Sequence, residues 1–355
     1  MEIKVFDTFN SELESYWLTI SKINRFSIFE SYHWLAYWYK IYGSGQKVIL
    51  QITVVLFKDC PILILPLCIT KKYGLRKLTF LGYGNSDYKA YLINKELFNK
   101  YIQDINSLWK NIFHNVKYFD FFLSDKLPES HLFIFNNKLT KFRNIKHGPS
   151  YLLTLPSIFD DLFFKPKIKS QLMDSKRQLN KLLKLGPVEF KIIEVEDVDY
   201  ELYFNKLIEF KRFRYKYTGV KDIFENDINV EFYKNIRFRM NEDSSKTHLS
   251  ILKLNDELIA GHWGVMDKNV FYYILPAYNH KYENYSPGRL LMERLINSSI
   301  QNKLDFFDFT HGEESYKKKW SDISIELFEI FNWNSYIGCV FLTLLKLKRK
   351  FHVKS

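Results

Sequence analysis

Asp308, His311, Glu313, Glu314 and Tyr316 crowd into nine consecutive residues, directly behind an apolar run that ends in Phe306-Phe307-Asp308-Phe309. Lys317, Lys318, Lys319 and Trp320 follow at once. A strand that brings Asp308 and Thr310 to one face, then turns through Gly312, places Glu314 and Tyr316 beside its end. There a carboxylate can accept a proton, directly or through water, and a phenol can donate one. The neighbouring lysines can hold phosphate oxygens. The same residues also have an architectural use: Tyr316 and Trp320 can anchor the turn, Glu314 can pair with a lysine, and Asp308 can cap local backbone groups.

Two more stretches carry chemistry. In "LIAGHWGV" strand alternation puts Ala260, His262 and Gly264 on one face, and His262 is either a satisfied core histidine or a general base. His311, just ahead of the turn glycine, can meet substrate or solvent. "ENYSPGRLLMERLI" reads as a helix start: Ser286 suits the N-cap, Pro287 the first helical position, and Leu291, Met292, Leu295 and Ile296 make an apolar face. Gly288 has no part in that account. It costs about 1 kcal/mol against Ala in a helix, yet it lets another group approach the backbone, and phosphate is the natural visitor to a helix N-terminus. No constellation supports a metal site, a Ser/His/Asp triad or a nucleophilic cysteine.

The elements that position these residues follow from the whole chain. Its 355 residues exceed what one hydrophobic core comfortably serves, so two domains are expected. An apolar content of 46% with 18% aromatics excludes a disordered chain. The net charge of +12 gathers anions, whether phosphorylated cofactors, nucleic acid or acidic membrane surfaces. Cys60, Cys68 and Cys339 show no metal-ligand spacing and leave one over, which fits a reducing cytoplasm. The N-terminal stretch lacks the basic start and apolar run of a signal peptide, and no segment reaches the roughly 18 apolar residues of a membrane-spanning helix.

An internal echo organises the rest. "ILQITVVLFKDCPILILPLCI" predicts two strands around a turn at Lys58 to Pro61, then a helical pattern through "LFNKYIQDINSLWKNIF" and a strand in "YFDFFLSD". "HLSILKLNDELIAGHWGV", "KNVFYYILPAY", the helix after Pro287 and "DFFDFTHG" repeat that order. Phe-Asp-Phe recurs at 119–121 and 307–309. Self-similarity of this length reads as a duplicated domain. Between the halves, "KPKIKSQLMDSKRQLNKLLKLG" predicts a basic amphipathic helix stopped by Gly186.

"SPGRLL", the helix and strand after it, and "FDFTHGEESYKKKW" resemble the C-terminal half of the GNAT-superfamily acyltransferases of the CelD group, associated with cellulose biosynthesis and distantly related to the FemAB aminoacyl transferases. The residues that carry the likeness are Ser286, Pro287, Gly288, Phe307, Asp308, Phe309, Gly312, Glu314, Tyr316, Lys317 and Trp320, with Glu313 in place of Asp. Asp87 and Tyr88 in "LGYGNSDYKAYL" extend it to the first half. The segment before the helix, "YNHKYENYSPG", has one glycine where the usual GNAT phosphate loop has two.

The resemblance implies an α+β (mixed α/β) fold of two tandem GNAT-like domains, each a mostly antiparallel mixed sheet flanked by helices. The expected boundaries are 1–150, 151–330 for the acyltransferase domain, and 331–355 for a basic tail helix that packs on the body or on a membrane surface. It implies an N-acyltransferase that takes acetyl or another acyl group from coenzyme A to an amino group of a small molecule or a surface-polysaccharide precursor, such as a sugar-nucleotide or lipid-linked acceptor. Glu314, Tyr316, Asp308 and His262 are the expected catalytic set. Ser286, Pro287, Gly288, Arg289 and Lys317 are expected at the donor, and Asp87, Tyr88, His311 and Trp320 at the acceptor. The alternatives are FemAB-like transfer from aminoacyl-tRNA, which Lys165, Lys167, Lys169, Lys176 and Arg177 would suit, and a non-catalytic glycan- or partner-binding protein. The expected location is cytoplasmic or peripheral to the inner membrane face.

Overall fold

The computed structural model describes residues 1–24, 27–43, 48–135, 142–240 and 245–352. The chain begins with β1 (Glu2–Phe6), α1 (Ser11–Ile23), α2 (Tyr32–Tyr42), β2 (Ile49–Leu50), β3 (Ile52–Phe57), β4 (Cys60–Leu65), β5 (Leu67–Lys72) and β6 (Leu75–Phe80). Next come β7 (Leu92–Ile93), α3 (Lys95–Tyr101), α4 (Ile105–Asn115), β8 (Phe121–Pro128), β9 (Arg143–Thr154), α5 (Pro166–Leu183), β10 (Val188–Ile193) and α6 (Tyr200–Thr218). The remainder is α7 (Asp227–Asn235), α8 (Arg237–Met240), β11 (Lys246–Leu254), β12 (Glu257–Asp267), β13 (Val270–Tyr278), α9 (Pro287–Gln301), β14 (Phe306–His311), α10 (Ser315–Trp320), β15 (Ile323–Trp333) and α11 (Tyr336–His352). The architecture is the expected mixed α/β one.

The chain forms two compact units, Met1–Gly148 with Glu326–Ser355, and Pro149–Ile325. It leaves the first unit within β9 and returns to it within β15. The tail, drawn from the sequence as a segment of its own, is thus part of the first unit. Phe341, Leu342 and Leu345 of α11 cluster with Phe121, Leu123 and Phe331. Gly338 permits the close approach, because a Cβ there would lie 2.1 Å from the Asp120 carbonyl oxygen.

In the first unit, β1-β3-β4-β7 form one sheet, and β15-β8-β6-β5-β2 follow one another in a second run of paired strands. Lys58 and Asp59, both at positive φ (47° and 61°), make the tight turn expected between β3 and β4. The helical pattern over "LFNKYIQDINSLWKNIF" is two helices: α3 ends at Tyr101 with Ile102 extended, and Asp104 caps α4 by accepting the Asn106 and Ser107 N–H groups.

In the second unit the strand order is β10-β11-β12-β13-β14-β9. Among the described residues its one parallel pair, β13 with β14, is joined through α9, just as parallel β6 and β8 are joined through α3 and α4. The echo is thus partial: both units have a helix-linked parallel pair, but β3 and β4 pair in a different sheet from β6 and β8, while β11 to β14 follow one another in one sheet, and the Phe-Asp-Phe registers differ. Asp308 lies inside β14 opposite Tyr272. Asp120 precedes β8, where its carboxylate accepts the Arg76 N–H and the Ser335 hydroxyl. On α9, Leu291, Met292, Leu295 and Ile296 are buried with Phe307 and Phe309 of β14, at about 1.5–3 kcal/mol for each large side chain removed from water.

Candidate active site

The parallel pairing of β13 and β14 covers only Val270↔Phe306, Phe271↔Phe307 and Tyr272↔Asp308. Beyond Tyr272, β13 runs on to Tyr278 without that partner. Asp308 helps to end the ladder: its Oδ1 accepts the Thr310 N–H at 2.7 Å, Thr310 sits at φ 58°, and the pairing of β14 with β9 slips between Asp308 and His311. The carboxylate is buried and caps the local backbone.

A cleft of about 460 Å³ opens beside the part of β13 that β14 does not cover, within the range of small-molecule sites. Its walls include Tyr273 and Tyr278 of β13, Ser286, Gly288 and Arg289 at the start of α9, Tyr316 of α10, and Arg214 and Tyr217 of α6.

Pro287 holds the first helical position of α9, as expected. Ser286 does not cap the helix: it adopts a left-handed conformation (φ 52°, ψ 47°) in which its side chain makes no capping hydrogen bond. An N-cap side chain reaches the first-turn N–H groups from extended backbone, and the turn His280–Tyr285 delivers Ser286 in another conformation. Pro287 has no N–H, and those of Arg289 and Leu290 donate to the Ser286 carbonyl at 3.0 and 3.2 Å, which leaves the Gly288 N–H at the helix start. A Cβ on Gly288 would stand 3.2 Å from the Tyr278 ring, so the glycine lets that ring lie against the helix start. Arg289 is tied to Asp174 of α5 by its guanidinium, while its Nε is buried without a partner. Burial raises the Asp174 pKa, but Arg289 and Arg177 outweigh it and hold the carboxyl below its ordinary value.

The turn after β14 is compact. Gly312 (φ 142°) has no room for a side chain, since a Cβ would lie 2.2 Å from Oε2 of Glu314. Lys317 is buried and donates to the His311 carbonyl at 2.8 Å while pairing with Glu314 at 3.1 Å. Its ammonium is spent inside the turn, and Lys319 is the lysine on the cleft wall. For Glu314, burial raises the pKa, but Lys317 and Arg214 bring it below the ordinary value. For Tyr316, burial and the Glu314 charge push the phenol well above its ordinary value. At neutral pH, Glu314 is thus charged and Tyr316 protonated.

The other expected residues lie elsewhere. His262 is fully buried, stacked on Tyr273 with ring centroids 4.4 Å apart, and neither ring nitrogen has a hydrogen-bond partner. Burial and the neighbouring His248 depress its pKa well below the ordinary value. Trp320 is fully buried among the second unit's core residues. Asp87 and Tyr88 belong to the first unit, where Asp87 pairs with Lys126 at 2.9 Å and Tyr88 is buried. The sequence reading missed Arg214 and Tyr217, although "FKRFRYKYT" sets Phe213 with Tyr217 and Arg214 with Thr218 at four-residue spacing. His280 extends this aromatic wall, 4.4 Å from Tyr217 and 5.3 Å from Phe213. Among the described residues no group of three His, Cys, Asp or Glu could hold a metal ion.

The cleft thus brings together an open strand edge, a helix N-terminus and a protonated phenol. Residues 169–318 match the family model of the acetyltransferase (GNAT) domain. Solved structures share the fold over nearly the whole chain. FemX aligns at 11% identity and a TM-score of 0.60, covering 93% of this chain and 97% of its own. L-PGS from Bacillus licheniformis aligns at 11% and 0.54, covering 96% and 97%. A tandem GNAT protein from the clavulanic acid biosynthesis pathway aligns at 9% and 0.52, covering 93% and 97%. No curated protein matches the sequence.

Proposed function

We propose that the second unit transfers an acyl group, in the simplest case acetyl, from coenzyme A to a neutral amine bound in the cleft. The observation that carries this reading is the coincidence of the β13 edge that β14 leaves uncovered with the α9 N-terminus, where Ser286 makes no side-chain cap. An open strand edge suits a thioester carbonyl, and a helix start suits a pyrophosphate. Arg214, Arg289 and Lys319 add positive charge around the cleft.

In the reaction the amine nitrogen attacks the thioester carbon, the carbon–sulfur bond breaks, and the amine proton leaves to water. Tyr316 protonates the departing thiolate and is reprotonated from solvent. Glu314 acts on Tyr316: its charge raises the phenol's pKa and keeps the proton in place. The acceptor is a small amine-bearing molecule, with surface-polysaccharide precursors as the first class to try.

A second reading, transfer from aminoacyl-tRNA, is favoured by one feature, the row of exposed Lys169, Lys176, Arg177, Lys181 and Lys184 along α5. A thermal-shift series with coenzyme A thioesters and charged tRNA separates the two. The first reading expects stabilisation by acetyl-coenzyme A that weakens in Arg289→Ala. Stabilisation by charged tRNA alone would transfer the proposal to the second reading.

A further inference from the structure

The tail helix α11 has two faces of opposite use. Gly338, Phe341, Leu342 and Leu345 turn inward onto β8 and β15. Ile337, Val340, Leu344 and Leu347, at spacings of three and four, are 60%, 40%, 60% and 48% exposed. That is a continuous apolar stripe on the outer side of a helix already anchored by its inner side. A solitary exposed leucine is ordinary, but four in register are not.

A second element extends the stripe. Tyr73 stands at the tip of the β5–β6 turn at φ 51° and is 81% exposed, with its ring 5.9 Å from that of Phe341. Lys71 and Arg76 flank it on exposed positions. Charge specifies the partner: from residue 330 onward the sequence has no Asp or Glu but contains, beyond the Lys346 that lies over the Phe331 ring, Lys348, Arg349, Lys350 and Lys354.

We infer that this face of the first unit docks on an anionic phospholipid surface, with α11 lying in the plane of the interface. The apolar stripe and the Tyr73 ring enter the headgroup boundary, where an aromatic with a polar tip is well accommodated, and the basic residues attract acidic headgroups. No helix of the described residues is long and apolar enough to cross a membrane, so the contact is a surface one made by an amphipathic helix. Such docking would hold the enzyme beside membrane-bound acceptors, but it is independent of the acyltransferase reading.

The test is co-sedimentation of the full chain with vesicles of phosphatidylcholine alone or with about one-third phosphatidylglycerol, at low and at roughly 0.5 M salt. The chain is expected to pellet with the anionic vesicles at low salt, to pellet less at high salt, and to stay in solution with neutral ones. Ile337→Asp with Leu344→Asp should cut the bound fraction by about tenfold or more, and Tyr73→Ser by a smaller factor. Both changes fall on exposed positions, and an unchanged circular dichroism melt verifies that they leave the fold intact. Absence of binding to anionic vesicles, or undiminished binding by the double variant, overturns the inference. So does a lipid-free dimer in light scattering that the double variant dissociates, which would assign the stripe to a second copy of the chain.

Discussion

The imidazole of His262 lies parallel to the phenol of Tyr273, centroids 4.4 Å apart and planes within 5°. Tyr273 faces the cleft and His262 lies behind it, sealed from water with no polar partner. A histidine in that position must stay neutral for the fold to persist.

Stability should therefore fall with acid before the carboxylates titrate. His262 is held well below its ordinary pKa, and His131 and His248 are lowered to about 4, in each case chiefly by burial. Unfolded histidine binds a proton near pH ~6.5 while these folded ones do not, so protons favour the unfolded chain. The melting temperature is expected to drop progressively from about pH 6.5 to pH 4. His262→Phe, which keeps the stack, should shallow that slope and leave turnover nearly unchanged. A large loss of kcat in this variant would return His262 to the catalytic set.

Tyr316→Phe removes the proton donor without changing shape, and kcat should fall about 10²-fold with donor affinity preserved. Glu314→Gln is expected to change kcat at neutral pH little and to shift the alkaline limb of the pH profile downward, because burial still holds the phenol's proton but the carboxylate charge beside it is gone. The same change unpairs the buried Lys317, so the melting temperature should also fall. Steady-state rates across pH decide the matter: near-normal turnover in Tyr316→Phe, with an unmoved alkaline limb in Glu314→Gln, would make the turn architecture alone.

Gly288→Val puts a branched side chain where the Tyr278 ring already lies 3.2 Å from an added Cβ. The ring must shift into the cleft, and affinity for coenzyme A should drop at least tenfold, as isothermal titration would register, about 1.4 kcal/mol or more. Unaltered affinity would remove the α9 start from the donor site.

Much of this was readable from local pattern. Pro287 and the four-residue spacing from Leu291 to Leu295 specify α9, and strand periodicity with turn residues located β3, β4, β12 and β14. What escaped is tertiary. Lys317 reads as a surface cation, yet its stem and ammonium close the turn on the His311 carbonyl. Trp320 looks like a binding aromatic and is core. Ser286 has the right identity for a cap, but the preceding turn sets its backbone. Arg214 and Tyr217 sit in a run so rich in cations and rings that no period singles them out, and only the packing of α6 beside β13 selects the residues that face the cleft.

The return of the chain through β15 has a consequence for synthesis. β8 acquires its antiparallel neighbour only when residues 327–333 pair with 121–128. A nascent chain that has just emerged with its first 148 residues holds β8 with an open edge, and Phe121 and Leu123 lack Phe331 and Leu342 over them. The first unit to leave the ribosome is thus the last that can be completed, and until then its bare strand edge is the place where a chaperone, or another nascent chain, would bind.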